Sequence, residues 1–194
     1  MSDVVIRPID LERDAEGLAI MWNESDLQWP GTWTDGVPMT AEWVRRYERS
    51  QRNLVTFVAE VDGKIAGYCS FRDGEHGHFG EGYLSLLNVH PGYQKRSIGR
   101  RLIQATIARS VQERFPRQTL GTWSANWKAV PTYKKTGHFW TPESSVWMQN
   151  FVPGALQMPL ARPFFEKHDW YACYVRELSQ CWDEQRWEGL KVFT

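Results

Sequence analysis

The chain is poor in cysteine. Cys69, Cys173 and Cys181 are its three thiols, odd in number and without a C-x-x-C spacing. That argues against a disulfide framework and a cysteine-built zinc site, and predicts free thiols in a reducing compartment. The five histidines have no paired ligand spacing either, so no metal is predicted. An excess of charge is equally missing: 23 Lys plus Arg face 23 Asp plus Glu, which leaves no global field to attract nucleic acid or anionic lipid. No apolar run approaches the length of a membrane span, and Met1-Ser2-Asp3 does not open a secretory leader. Repeats and low-complexity segments are lacking as well. These absences predict a soluble, cytoplasmic protein without a membrane partner, and disfavour a nucleic-acid one.

Aromatic residues are plentiful. Eleven tryptophans in 194 residues exceed what one core of this size needs. Many must pack inside, where each indole N–H needs a partner, and the remainder can line a pocket or cover a partner surface.

The hydrophobic patterning orders the elements. Val4–Arg7 reads as a strand stopped by Pro8, and Asp10 as the cap of a helix carrying Leu11, Ala15, Leu18, Ala19 and Trp22 on one face. Residues 23–40 are polar, aromatic and broken by Pro30, Gly31, Gly36 and Pro38, so a long loop is expected. A helix over 41–52 should bury Trp43, Val44 and Tyr47. Two strand-like runs meet at Asp62-Gly63, the strongest short hairpin signal. A polar loop over 72–80 leads to a strand over 82–89. From about Gly99 a helix places Leu102, Ile103, Ile107, Val111 and Phe115 on one stripe, and Pro116 ends it. A strand over 118–125, a short helix over 128–136 stopped by Gly137, and an extended segment over 139–151 broken at Pro142 complete the order. The resulting β-α-α-β-β-β-α-β-α-β succession predicts an α/β (α+β) fold, with a mixed, mostly antiparallel central sheet and helices on both faces.

Between the strand ending at Val89 and the helix starting near Gly99 runs His90-Pro91-Gly92-Tyr93-Gln94-Lys95-Arg96-Ser97-Ile98. Free amides at a helix start, with the positive end of its dipole, make a phosphate site, and Lys95, Arg96, Arg100 and Arg101 add mobile positive charge. A pyrophosphate held there would lay the rest of its molecule along the end of the preceding strand, at Leu87 and Val89. Gln94-x-x-Ser97-x-Gly99, preceded by Val89-x-Pro91, resembles the Gln/Arg-x-x-Gly-x-Gly/Ala pyrophosphate loop of the GNAT N-acetyltransferase superfamily, whose cofactor is acetyl-CoA. The resemblance implies that Leu87, Val89, Gln94, Lys95, Arg96, Ser97, Ile98, Gly99 and Arg100 bind that cofactor. Ser97 stands where glycine is usual. A positive φ there would strain serine, whereas an ordinary φ would leave its hydroxyl as an extra phosphate donor.

Further on, Asn126-x-x-Ala129-x-x-x-Tyr133-x-x-x-Gly137-His138-Phe139 is similar to the Asn-x-x-Ala-x-x-x-Tyr-x-x-x-Gly-Phe segment of the same family. Pro131 inside the helix and His138 before the phenylalanine are departures. The resemblance covers about residues 4–151 and implies a GNAT-like acyl-CoA N-acyltransferase domain over 1–151. It places Asn126 on the pantetheine arm, makes Tyr133 the general acid beside the sulfur, and gives a backbone N–H near Val89 to the developing oxyanion. The implied reaction transfers an acetyl group to a primary amine of a small molecule or peptide in one ternary complex, with no acyl-enzyme.

The base stays unassigned, because Ser85 and Leu86 stand where many relatives carry a carboxylate. Glu75, His76, His78 and Glu81 either relay a proton through water or are solvated loop residues. Cys69, in mid-strand, reads as a core residue rather than an acyl carrier. Trp22, Trp29, Trp33 and Trp43 crowd the first loop, as an aromatic pocket or as a seal over the sheet, and Asp26 and Asp35 can anchor an ammonium there. Within that group, Trp29, Trp33 and Asp35 are the candidate substrate residues. Residues 152–194 read as a helical extension that packs on the core, supports a homodimer or starts a further domain. The rival reading is a non-catalytic acyl-CoA-binding or regulatory module.

Overall fold

Asp10 starts α1 (Leu11–Ser25) because its carboxylate accepts from the free amides of Glu12 and Arg13. It follows β1 (Val4–Pro8) in a computed structural model that describes residues 3–26, 34, 36–74, 80–122, 126, 128–141 and 147–151. Thr40 caps α2 (Ala41–Ser50) in the same way, through the amide of Trp43 at 3.2 Å. The expected hairpin forms between β2 (Asn53–Val61) and β3 (Lys64–Asp73). Asp62 and Gly63 turn it with φ of 50° and 74°, the left-handed pair that matches the twist of the flanking strands. After β4 (Gly82–Val89) come α3 (Ile98–Gln112), β5 (Arg117–Gly121), α4 (Val130–Lys135), β6 (Phe139–Trp140) and β7 (Trp147–Phe151). This is a mixed α/β fold with mostly antiparallel strands, as its sequence order predicts.

The described elements fall into two compact units, residues 1–73 with 84–106 and residues 74–83 with 107–194. In the first, the strand order is β1-β2-β3-β4, with β1 and β3 each antiparallel to β2. The β2–β3 register shifts between Ala59 and Glu60, so Ala59 opposes Gly67 while Glu60 opposes Ile65. That bulge at Ala66 lets Ile65 and Tyr68 face the same side, where they join Leu18, Trp22 and Val44 of α1 and α2 in one core. Gly67 faces the other side. A Cβ there would lie 2.9 Å from Ile98 and 3.0 Å from Leu102, so α3 packs on that face only because residue 67 has no side chain. Helices therefore cover both faces of this sheet.

In the second unit β7 lies between β5 and β6, antiparallel to both. The extended segment expected over 139–151, broken at Pro142, is thus two strands that pair with each other. On α3 the predicted stripe needs correction. Leu102 and Ile103 are buried, but Thr106 and Ser110 continue the inner row and Val111 is 46% exposed. The polar pair can be buried because the Thr106 hydroxyl donates to the Ile103 carbonyl and that of Ser110 donates to Gln118 Oε1. The helix also ends before Pro116 can stop it. Arg114 takes φ 59° and the Phe115 amide reaches back to the Ser110 carbonyl, a left-handed cap. No helix among the described residues is long and apolar enough to cross a membrane. The expectations for residues 152–194 lie outside the described residues.

Candidate active site

The basic turn is presented to solvent. Gln94, Lys95, Ser97 and Arg100 are exposed, Arg96 and Gly99 half-buried, and Ile98 is buried as the anchor of α3. Lys95 and Ser97 both adopt positive φ, 62° and 60°. Left-handed residues alternating with ordinary ones turn successive amides into an anion-binding concavity. The Ser97 carbonyl then accepts the first bond of α3 from Arg101, at 3.0 Å. The free first-turn amides of α3, its dipole and the surrounding cations therefore converge on this turn. Of the two possibilities for Ser97, the strained conformation is the one adopted.

Gln94 helps hold the turn together. Its amide side chain donates to the Val89 carbonyl at 3.4 Å, closing the turn on the strand it leaves. Leu87 and Val89 lie half-buried along β4 just before it. The Arg96 guanidinium sits over the Tyr93 ring, 5.5 Å from its centre. Sequence reasoning passed over His90, treated as a spacer between Val89 and Pro91. A histidine ahead of a Pro-Gly turn was the available signal. Its amide donates to the Ala66 carbonyl at the β3 bulge, at 3.0 Å, and its ring caps the short turn Pro91–Tyr93.

In the second unit Asn126 closes the turn that leads into α4, whose cap position, Ala129, has no side-chain cap. Asn126 Oδ1 accepts from the Ala129 amide, its carbonyl accepts from Val130, and its Nδ2 donates to the Thr122 hydroxyl at 3.0 Å. Among the described residues, one amide hydrogen of Asn126 has no acceptor. Pro131 falls in the first helical turn, where its missing N–H costs nothing. Tyr133 is buried, and its ring meets His138 edge-on with centres 6.3 Å apart. Burial pushes the His138 pKa down to about 3, so the residue inserted before Phe139 brings no charge to Tyr133 at neutral pH.

Several candidates are resolved otherwise. Trp22 is core, touching Trp43, Tyr47 and Tyr68 edge-on, so it lines no pocket. Asp26 accepts from the amide and hydroxyl of Thr34, both at 2.9 Å, and so closes its own loop. Burial drives the Cys69 thiol far above its usual pKa, which removes it as a nucleophile. Glu81 is held by Arg117. Trp29, Trp33, Asp35, Glu75, His76 and His78 lie outside the described residues.

A sequence model described as the acetyltransferase (GNAT) family matches residues 18–138. No curated protein matches the chain. Among solved structures, the fold is similar to that of a GNAT-family acetyltransferase from Streptococcus pneumoniae, with TM-score 0.62 and 22% identity over 77% of this chain and 99% of that one. It is similar to yncA from Salmonella typhimurium, solved with its cofactor acetyl-CoA, with TM-score 0.61 and 23% identity over 77% and 94%. It is also similar to the PaiA N-acetyltransferase of Thermoplasma acidophilum in complex with coenzyme A, with TM-score 0.57 and 18% identity over 77% and 99%.

Proposed function

Because the chain belongs to the acetyltransferase (GNAT) family, we propose that it is an acetyl-CoA-dependent, cytoplasmic N-acetyltransferase. Its acceptor is a primary amine of a small molecule or a peptide, and transfer is direct within one ternary complex. The observation that carries this reading is the solvent-facing turn 94–100 at the head of α3, with left-handed Lys95 and Ser97 and cations on its rim. Such a concavity fits a diphosphate. Leu87 and Val89 would take the arm that follows it, and Asn126 has one amide hydrogen without an acceptor among the described residues.

Bound acetyl-CoA supplies an activated acyl group as a thioester. The remaining work falls to side chains and amides of the protein. The acceptor must attack as a neutral amine, although a lysine-like amine has a pKa of about 10.4 and an α-amine of about 8. An amide near Val89 would donate to the carbonyl oxygen as negative charge builds on it. Tyr133 would give its proton to the departing sulfur. Trp29, Trp33 and Asp35 would receive the acceptor by stacking and by pairing with its ammonium before deprotonation.

Calorimetric titration with coenzyme A, followed by thiol release from acetyl-CoA over a panel of amines, tests the reading. Saturable binding and amine-dependent release are expected. Gly99→Glu puts a carboxylate against the phosphates and should weaken binding roughly tenfold or more. Unchanged binding in that variant removes the turn from the site. Binding without release for any amine turns the assignment to a non-catalytic module.

A further inference from the structure

One imidazole ties the phosphate turn to α1. His90 Nδ1 accepts from the Gly92 amide at 3.0 Å, so the ring hydrogen sits on Nε2, which lies 2.5 Å from Glu24 Oε2 in the last turn of α1. The ring rests directly on Gly92: a Cβ at that position would lie 3.2 Å from both Cε1 and Nδ1. Tyr93 packs edge-on against the imidazole, with centres 5.3 Å apart, and carries Arg96 on its face. The His90 amide is itself held by the Ala66 carbonyl. The backbone and both ring nitrogens of His90 are therefore engaged, immediately ahead of a turn whose next residues are exposed.

That turn contains two non-glycine residues in the left-handed region, Lys95 and Ser97. Such conformations persist only when their surroundings over-determine them. We propose that His90 is a positioning residue for coenzyme binding: with Nδ1 it closes the turn that leads into residues 94–100, and with Nε2 it fastens that turn to Glu24 of α1. The inference rests on the coenzyme role proposed for the turn. It places the effect of His90 on preorganisation, which governs affinity, and not on bond making, which governs turnover.

The test measures coenzyme A affinity, the KM for acetyl-CoA, kcat and Tm for the wild-type chain and four variants. His90→Ala leaves the Gly92 amide without its acceptor and should raise Kd and KM roughly tenfold, with kcat within about twofold. His90→Asn places an amide oxygen near the position of Nδ1 and should recover affinity to within about threefold of wild type. His90→Gln reaches toward Glu24 but offers Gly92 no acceptor, and should remain as weak as His90→Ala. Gly92→Ala displaces the ring and should behave the same way. The inference is overturned if His90→Ala binds like wild type, if His90→Asn is no better than His90→Ala, or if the loss falls on kcat or Tm instead of KM. A wild-type chain that binds no coenzyme overturns the proposed function itself, a result distinct from tight binding that ignores residue 90.

Discussion

Ser97 occupies a backbone conformation that costs a residue with a Cβ about 1–2 kcal/mol. Glycine adopts it freely but loses more entropy on folding. Ser97→Gly should therefore stabilise the chain by about 0.5–1 kcal/mol and raise Tm by roughly 2–3 °C, read from a thermal melt. An unchanged melt would show that neighbouring contacts already absorb the strain. Tyr133 makes the complementary prediction. Its ring is packed in the second unit and phenylalanine preserves that packing, so only the hydroxyl is lost. Tyr133→Phe should lower kcat roughly a hundredfold while coenzyme A affinity stays within about twofold. Equal turnover would exclude the hydroxyl as the acid.

At the scale of elements, local chemistry was readable where a signal and its structure lie within a few residues of each other. Asp10 as a cap, Asp62-Gly63 as hairpin turn, and the 82–89 strand are all of this kind, since each needs only its neighbours. Buried polar groups were not readable. Glu48 lies four residues after Val44 on the inner row of α2, and its carboxylate accepts from Tyr68 at 2.5 Å and Thr56 at 2.8 Å. Periodicity marks that row but favours apolar residues, and nothing local reveals that β2 and β3 bring two hydroxyls to it. Burial, then the Glu48 charge, pushes the Tyr68 phenol well above its usual pKa, so it remains a donor. Ser110 continues the inner row of α3 for the same reason, its partner Gln118 lying on β5.

At the scale of the folded chain, one ion network joins β1, α1 and β2. Arg7 grips Asp14 with two bonds, at 2.6 and 2.8 Å, and Glu60 with two more, while Arg13 also reaches Glu60. Burial pushes the Asp14 carboxyl upward, but the Arg7 hydrogen bonds and charge outweigh it and hold its pKa below the ordinary 3.8. As pH falls through 3.8 the unfolded chain takes up this proton before the folded one does. The stabilisation is thus complete above that pH and is lost as pH drops through the lower folded value. Acid titration of stability should show this loss. Asp14→Asn should remove that part of it, at a cost of about 1.5–3 kcal/mol near neutral pH. An identical acid profile in the variant would place the sensitivity elsewhere.

The chain's own order of residues was enough to specify most of the elements, the mixed sheet and the family, because caps, turn dipeptides, alternation and motif spacing act over distances of a few residues. Folding in three dimensions settled what each side chain does there. Gln94 and Asn126 spend hydrogen bonds on their own turns, and Trp22 became core instead of pocket. His90 gained its role from Glu24, sixty-six positions away along the chain. A polar group's duty depends on which partner lies within about 3 Å of it, and for these groups that partner is supplied by packing across the sheet and between helices.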